Sequence, residues 1–398
     1  MFTHIPESAG DPILSLVEKF DADPRPNKVN LSIGLFYDGE GKIPLLESVR
    51  IAEERLTAQR LPRPYLPMDG HAGFRKAARQ YVFGPEHEAL RSERIASIQT
   101  IGGSGALSLT AAFLRRFLPK TQFWVSDPTW SNHLSIFQDA GLEVHEYPYY
   151  DLAENKTCFE QMLACMQSLP EGSMVLLHPC CHNPTGMDLT QEQWKQLIPV
   201  FKARKLIAYL DIAYQGFGTD IETDAWAVRE FAASGIVCFV GSSFSKSFSL
   251  YAERIGILHV VCKDKEEAKR ILSQMKSGVR LQYSSPPIHG AQLIDMVLST
   301  PELRQLWEAD IVKMRSRVQN MRQTLKATLS AMVPGKNFDY LTTQQGMFSY
   351  TGLNKEQVNR LRDEYAIYLV GTGRICVAGL NQHNVQYVAE AMAKVIAD

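Results

Sequence analysis

The chain has 398 residues, with 42 Lys and Arg against 43 Asp and Glu and 45% apolar residues. That length admits a large core and two domains; the balanced charge removes the electrostatic case for a nucleic-acid or anionic-membrane partner, and the apolar content excludes bulk disorder. No apolar run approaches a membrane span, Met1–Glu7 carries no secretory-signal pattern, and seven scattered cysteines fit reduced, buried thiols, so a cytoplasmic enzyme is expected.

From about residue 95 to 260, short apolar runs alternate with helical patterns. Ile95–Ile101 reads as a strand, followed by Gly102-Gly103-Ser104-Gly105 as a strand-to-helix turn. Leu107, Thr110, Ala111, Leu114 and Phe117 then recur at helical spacing. Phe123–Val125 and Val175–Leu177 read as further strands. Thr190 and Gln193 form a capping box opening a helix whose apolar stripe is Trp194, Leu197, Ile198 and Phe201. Leu206–Leu210 and Ile236–Val240 are strand-like, and 302–332 reads as one long charged helix. Such alternation predicts an α/β domain with a mainly parallel sheet between helices. In such a sheet ligands bind beyond the carboxyl ends of the strands.

Several residues there carry possible chemistry. Lys246 follows the strand at 236–240 inside Ser242-Ser243-Phe244-Ser245-Lys246-Ser247-Phe248. An amine flanked by rings and small hydroxyls at the mouth of a buried strand is poorly solvated. It can become a nucleophile near neutral pH that holds a carbonyl compound as a Schiff base. Ser243 and Arg254 could bind a phosphate beside it, and lysine plus phosphate site is the basic requirement for pyridoxal 5'-phosphate. Ser243–Lys246 also fits Ser-x-x-Lys, the acyl-enzyme motif with Ser243 as nucleophile; the accompanying Ser-Asp-Asn and Lys-Thr-Gly elements are absent. Gly103, Ser104 and Gly105 could cradle an anion at a helix N-terminus. Asp211 could pair with a protonated pyridine nitrogen, and Tyr214 could hydrogen-bond a ring oxygen. His178-Pro179-Cys180-Cys181-His182 invites a metal reading, but its four ligands crowd five positions without loop-separated pairs, so no metal site is assigned. Asn183-Pro184-Thr185-Gly186 is a turn that can aim the Asn183 amide into a site.

In order and spacing, the chain resembles the class I aminotransferases that use pyridoxal phosphate, specifically the aspartate/aromatic subgroup. The matching stretches are Gly102–Leu107, Ser126–Trp130, His182–Gly186, Asp211–Gly216, Ser243–Lys246 with Arg254, Tyr283–Pro287 and Gly373-Arg374. The resemblance implies a fold type I enzyme with a large cofactor-binding domain over 45–310 and a smaller α/β domain from 1–44 and 311–398. It implies Lys246 as Schiff-base lysine and proton shuttle. Asp211 becomes the pyridine-nitrogen partner, with His178 and His182 as possible neighbours. Asn183 and Tyr214 become ring-oxygen contacts, and Trp130 the aromatic plate on the ring. Ser243, Arg254 and Gly103–Gly105 become the phosphate cup. Arg374 becomes the clamp on the substrate α-carboxylate, with Gly34 beside the substrate. Tyr65 and Arg280 match residues that reach in from a partner subunit, which implies a homodimer with shared sites.

The implied reaction is ping-pong transamination of tyrosine, phenylalanine and aspartate with 2-oxoglutarate, an aspartate aminotransferase being the alternative. Arg280 matches the residue that binds a distal carboxylate. Leu35, Tyr37, Ile43, Ser104 and Ser285 look like the aromatic type, while Pro64 departs from both patterns.

Overall fold

The structure, a computed structural model, describes residues 1–7 and 10–397. The strands run in chain order β1 (Val29–Asn30), β2 (Ile95–Ile101), β3 (Phe123–Asp127), β4 (Val144–Pro148), β5 (Tyr150–Asp151), β6 (Lys156–Thr157), β7 (Met174–Leu177), β8 (Ile207–Ile212), β9 (Cys238–Ser243), β10 (Ile255–Val261), β11 (Phe348–Tyr350), β12 (Ile367–Tyr368) and β13 (Arg374–Cys376). The chain divides into two compact units, Met1–Ile43 with Arg317–Asp398, and Pro44–Ser316. The division falls within the helix Pro301–Met332.

The unit Pro44–Ser316 is built on a seven-stranded sheet of order β2-β10-β9-β8-β7-β3-β4. β9, β8, β7, β3 and β4 are parallel, whereas β10 runs antiparallel to both β2 and β9. Every residue of β7 and β10 is buried, as expected of strands covered on both faces. Because β10 reverses direction, β2 ends at the same sheet edge as the parallel strands, and β10 begins there. Gly102, Asp127, Leu177, Ile212, Ser243 and Ile255 therefore mark one edge, and the segments next to it carry Gly103–Gly105, Trp130, Asn183, Tyr214, Lys246 and Arg254.

Two local expectations need correction. The strand read at 236–240 is Cys238–Ser243. Val237 is 40% exposed, while the hydroxyl-bearing Ser242 and Ser243 stay in the ladder opposite Ile257 and Gly256. Pairing with β10 decided the register, not side-chain apolarity. Gly102–Gly105 is no separate turn: it is the first turn of the helix Gly102–Phe117.

In the other unit, β1 pairs in parallel with β12, and β11 pairs antiparallel with β13. Chain segments more than three hundred residues apart in sequence thus form one ladder, Val29 opposite Ile367 and Asn30 opposite Tyr368. Among the described residues no helix is long and apolar enough to cross a membrane.

Candidate active site

Asp211 lies on β8, one residue before the strand ends, and its carboxylate is largely buried. An ionised carboxylate can only accept, so His133 Nε2 carries a proton and donates to Asp211 Oδ2 at 2.9 Å. The Thr129 hydroxyl lies 2.8 Å from His133 Nδ1 and fixes that tautomer by donating to it. Burial raises the Asp211 carboxyl, but the His133 hydrogen bond, reinforced by the electrostatics of the neighbouring histidines and Lys246, brings it below its ordinary value.

His178 stands beside Asp211 as expected, a ring nitrogen within 4.8 Å of the carboxylate and its ring 5.2 Å from that of His133, whereas His182 lies one ring further out, edge-on to His178 at 4.4 Å. The Ser126 hydroxyl donates to the Pro128 carbonyl, so His182 Nε2 must donate to Ser126 Oγ at 2.9 Å, and Nδ1 accepts from Thr185 at 2.8 Å. His182 also stacks on Tyr149, with centroids 3.9 Å apart. Burial holds His182 neutral, well below the usual histidine range. His178 is lowered to about 3 by burial and by His133. The direct partner of Asp211 is His133, which the sequence reading missed: a lone histidine on a nine-residue helix carries no motif.

Lys246 sits just beyond β9, half-buried between two anchored rings. Phe244 packs edge-on to Phe74 at 5.2 Å, and Phe248 stacks on Trp307 at 4.8 Å. Trp307 Nε1 also donates to the Ser247 carbonyl at 2.7 Å. Burying each phenyl ring stabilises the segment by about 1.5–3 kcal/mol, so the lysine is carried on a stiff support. Its Nζ lies 5.2 Å from the centroid of the Tyr214 ring. Burial lowers the Lys246 ammonium to about 8, opposed by the charge of Asp211 and assisted by Arg254.

The helix Gly102–Phe117 begins without a side-chain cap. Its first amide, Gly102 N–H, donates to the Arg254 carbonyl at 2.9 Å, and the amides that follow face the strand edge. A Cβ on Gly102, whose φ is +65°, would lie 2.6 Å from Arg254 Nη2, so the guanidinium is held against the opening turn. A Cβ on Gly103 would lie 3.4 Å from Ser243 Cβ. Arg254 Nη1 also approaches Ser245 Oγ at 3.4 Å, and the Ser243 and Ser245 hydroxyls are 3.4 Å apart. Uncapped helix amides, two hydroxyls and a guanidinium make a receptor for a phosphate. Ser245 joins the set although nothing in its sequence context distinguishes it from the neighbouring serines.

Asn183 is buried, and its Oδ1 has no hydrogen-bond partner among the described residues. Trp130 caps the helix Ser131–Asp139, its ring edge-on to His133 at 5.2 Å. Tyr65 is 94% exposed, and Arg280 is exposed in the last turn of the helix Lys265–Gln282. Cys180, Cys181 and Asp224 also converge, but the Asp224 carboxylate already accepts the amides of Gly216, Gly218 and Thr219, which builds that turn.

In the other unit, Arg374 is buried and donates to the Ser32 carbonyl, with its guanidinium 4.4 Å from the Phe348 ring centroid. Gly34 lies against the same ring, because a Cβ there would meet Phe348 Cζ at 2.7 Å. Gly34 and Arg374 therefore share Phe348 as a common wall.

The family described as "Aminotransferase class I and II" matches residues 26–392. The chain belongs to that family. This aminotransferase is 54% identical to a tyrosine aminotransferase of Klebsiella pneumoniae over 397 residues, covering 100% of both chains. It superposes with a TM-score of 0.98, at 49% identity and 100% coverage of both chains, on a psychrophilic aromatic amino acid aminotransferase of Psychrobacter cocrystallised with aspartic acid. The TM-score is 0.97, at 48% identity and 99% coverage of both chains, for an aromatic-amino-acid aminotransferase of Burkholderia pseudomallei covalently bound to pyridoxal phosphate. Membership of the family removes the Ser-x-x-Lys acyl-enzyme alternative, and Ser243 falls among the anion-receptor groups of this aminotransferase.

Proposed function

We propose that this aminotransferase uses pyridoxal 5'-phosphate to transfer the amino group of tyrosine and phenylalanine, and also of aspartate, to 2-oxoglutarate. The observation that carries the reading is the pairing of Lys246, lowered to about 8, with Asp211, held ionised by His133, at one sheet edge. The same edge carries the uncapped helix start and Arg254, so one cofactor bearing a phosphate and a basic ring would be met at both ends. Arg254, Ser243, Ser245 and the amides of Gly103, Ser104 and Gly105 would hold the phosphate. Asp211 would hold the ring nitrogen, Asn183 and Tyr214 the ring oxygen, and Trp130 would cover the ring. When bound, pyridoxal phosphate supplies an electron sink that makes the substrate Cα proton removable.

Lys246 would be the covalent anchor for the cofactor's aldehyde, and its Nζ, when free, would be the base for the Cα proton. Asp211, ionised, would favour a proton on the ring nitrogen. The Phe244 and Phe248 anchors confine the lysine stem, so the proton travels between fixed positions. Arg374 binds the substrate α-carboxylate, for which its planar fork is suited; its packing on Phe348 and Gly34 sets the fork's orientation.

Exposure of both Tyr65 and Arg280 supports a homodimer in which each reaches the partner's site. A cytoplasmic location belongs to the same proposal, supported by seven cysteines that are all free. The test is a substrate panel with 2-oxoglutarate as acceptor. Turnover of tyrosine and phenylalanine is expected alongside aspartate. An enzyme inert towards both aromatic acids is instead an aspartate aminotransferase. Mixing Lys246→Ala protomers with Arg280→Ala protomers, each inactive on aspartate, under subunit exchange restores part of the activity on aspartate if sites are shared; exchange without recovery excludes the sharing.

A further inference from the structure

A second cavity lies in the unit Pro44–Ser316, away from the residues described so far. It has a volume of about 450 Å3 and is bounded by the helices Ala72–Phe83, Glu88–Arg91 and Lys265–Gln282 and by the start of β2. Gly102 stands at the other end of β2, so seven residues of extended chain, roughly 20 Å, separate the cavity from the anion receptor. The volume falls in the ordinary range for small-molecule sites.

Its lining is strongly cationic. Lys76, Arg79, Arg91, Lys265 and Lys269 line it against a single carboxylate, Glu93. Three of these cations already have acidic neighbours. Lys265 is hydrogen-bonded to Glu93, Lys269 pairs with Glu266 at 2.7 Å, and Arg91 lies 3.9 Å from Glu86. Lys76 and Arg79 have no ion pair with any described residue. Arg79 is half-buried, and burial together with the neighbouring Arg75 pushes its guanidinium below the ordinary arginine value. Arg75 itself is occupied by Asp69 at 3.1 Å. The acid that acts on Arg79, Glu93, is already hydrogen-bonded to Lys265 and only partly offsets the burial, so a bound anion would remove the remaining cost.

The arrangement also selects the kind of anion. Lys76 and Arg79 stand three apart on one helix and so share a face. Lys265 and Lys269 come from another helix and Arg91 from a third. A planar carboxylate is best met by one fork, whereas a phosphate group accepts from several directions at once. Between the charges the walls are apolar, formed by Ala89, Leu90, Ile95 and Leu272.

We propose that this cavity is a binding site for a small phosphate ester, remote from the reaction centre, with Arg79 and Lys76 as its principal contacts. The test uses the holoenzyme, whose own phosphate receptor is filled, and inorganic pyrophosphate as probe in low-salt calorimetry. One pyrophosphate per chain is expected to bind, and to protect Lys76 and Lys265 from acetylation. Arg79→Gln should weaken binding by at least about tenfold, as loss of a charge-assisted contact predicts, with the visible cofactor band and transamination unchanged. Lys269→Gln, at an exposed rim position, should weaken it several-fold and carries the test if Arg79→Gln does not fold. Arg374→Ala should bind pyrophosphate as the wild type does. Absence of binding and protection at millimolar pyrophosphate overturns the proposal. So does undiminished binding in both cavity variants, or binding lost in Arg374→Ala. Tighter binding of citrate than of pyrophosphate rejects the phosphate class.

Discussion

His133 Nε2 donates to Asp211 at 2.9 Å while the Thr129 hydroxyl closes the other side of the ring at 2.8 Å. The relay runs from a loop hydroxyl to a strand carboxylate and has one direction only, because the carboxylate can accept but not donate.

His133→Asn should therefore act through Asp211. A hydrogen bond to a charged group contributes about 1.5–3 kcal/mol, so turnover should fall by roughly tenfold to a hundredfold. The folded Asp211 carboxyl titrates below its unfolded value of about 3.9, so its contribution to stability is present above that pH and lost as pH falls below it. In the variant the acid limb of kcat/KM should move to higher pH, and the stability deficit should shrink in acid. A variant with reduced turnover but an unmoved acid limb would make His133 a packing residue.

Lys246 should react with the aldehyde of pyridoxal phosphate as its neutral amine. With the ammonium lowered to about 8, capture by the cofactor-free chain should quicken about tenfold per pH unit up to that point and level off above it. An ordinary lysine would still be accelerating at pH 10. Burial favours the neutral form in the fold, so stability relative to Lys246→Met should rise from about pH 8 to the usual lysine value of about 10.4. Stopped-flow absorbance and urea melts across pH read the two effects separately.

Gly102 at the anion receptor and Gly256, which packs behind it on β10, should fail differently. Gly102→Ala would press its Cβ against Arg254 Nη2, a flexible group, at a φ of +65°. Its backbone strain costs about 1–3 kcal/mol, and the cofactor should dissociate more readily, by about tenfold. Gly256→Ala places its Cβ 2.4 Å from the Gly102 carbonyl carbon, which has nowhere to go. It should destabilise the fold by more than about 3 kcal/mol. Equilibrium dialysis and urea unfolding separate the two, and a Gly102→Ala chain holding cofactor like wild type contradicts the receptor.

Arg280→Ala should cut kcat/KM for aspartate severely and leave phenylalanine within about tenfold, a loss of no more than about 1.4 kcal/mol. In the proposed reading the exposed Arg280 would meet a distal carboxylate, and an aromatic substrate offers none. Equal losses for both substrates would mean that the side-chain pocket does not discriminate by charge.

The alternation of apolar runs and helical stripes made the sheet readable, because strands buried on both faces must be continuously apolar and their cover helices must be striped. Lys246, Asp211 and the glycine-opened helix were legible for the same reason, since each is an anomaly at the end of such a run. The antiparallel course of β10 was not, because a seven-residue buried strand reads alike in either direction. His133, Ser245 and the shift of β9 towards Ser243 were missed because tertiary partners created them: a carboxylate from β8, a guanidinium from Arg254 and the ladder of β10. Arg79 left no mark either, since its want of an ion-pair partner is a property of the surrounding helices and not of its own segment.

The pairing of Val29 and Asn30 with Ile367 and Tyr368 sets a timetable for synthesis. A ribosome extends the chain by about 5–20 residues per second, so the head of the protein waits roughly 20–70 s before its partner strand is made. Pro44–Ser316, being continuous, can close its sheet in the meantime. A message cut short before codon 367 would thus strand the beginning of the chain as well as remove its end, leaving a nascent protein with a finished cofactor platform and an open β-edge for chaperones to guard.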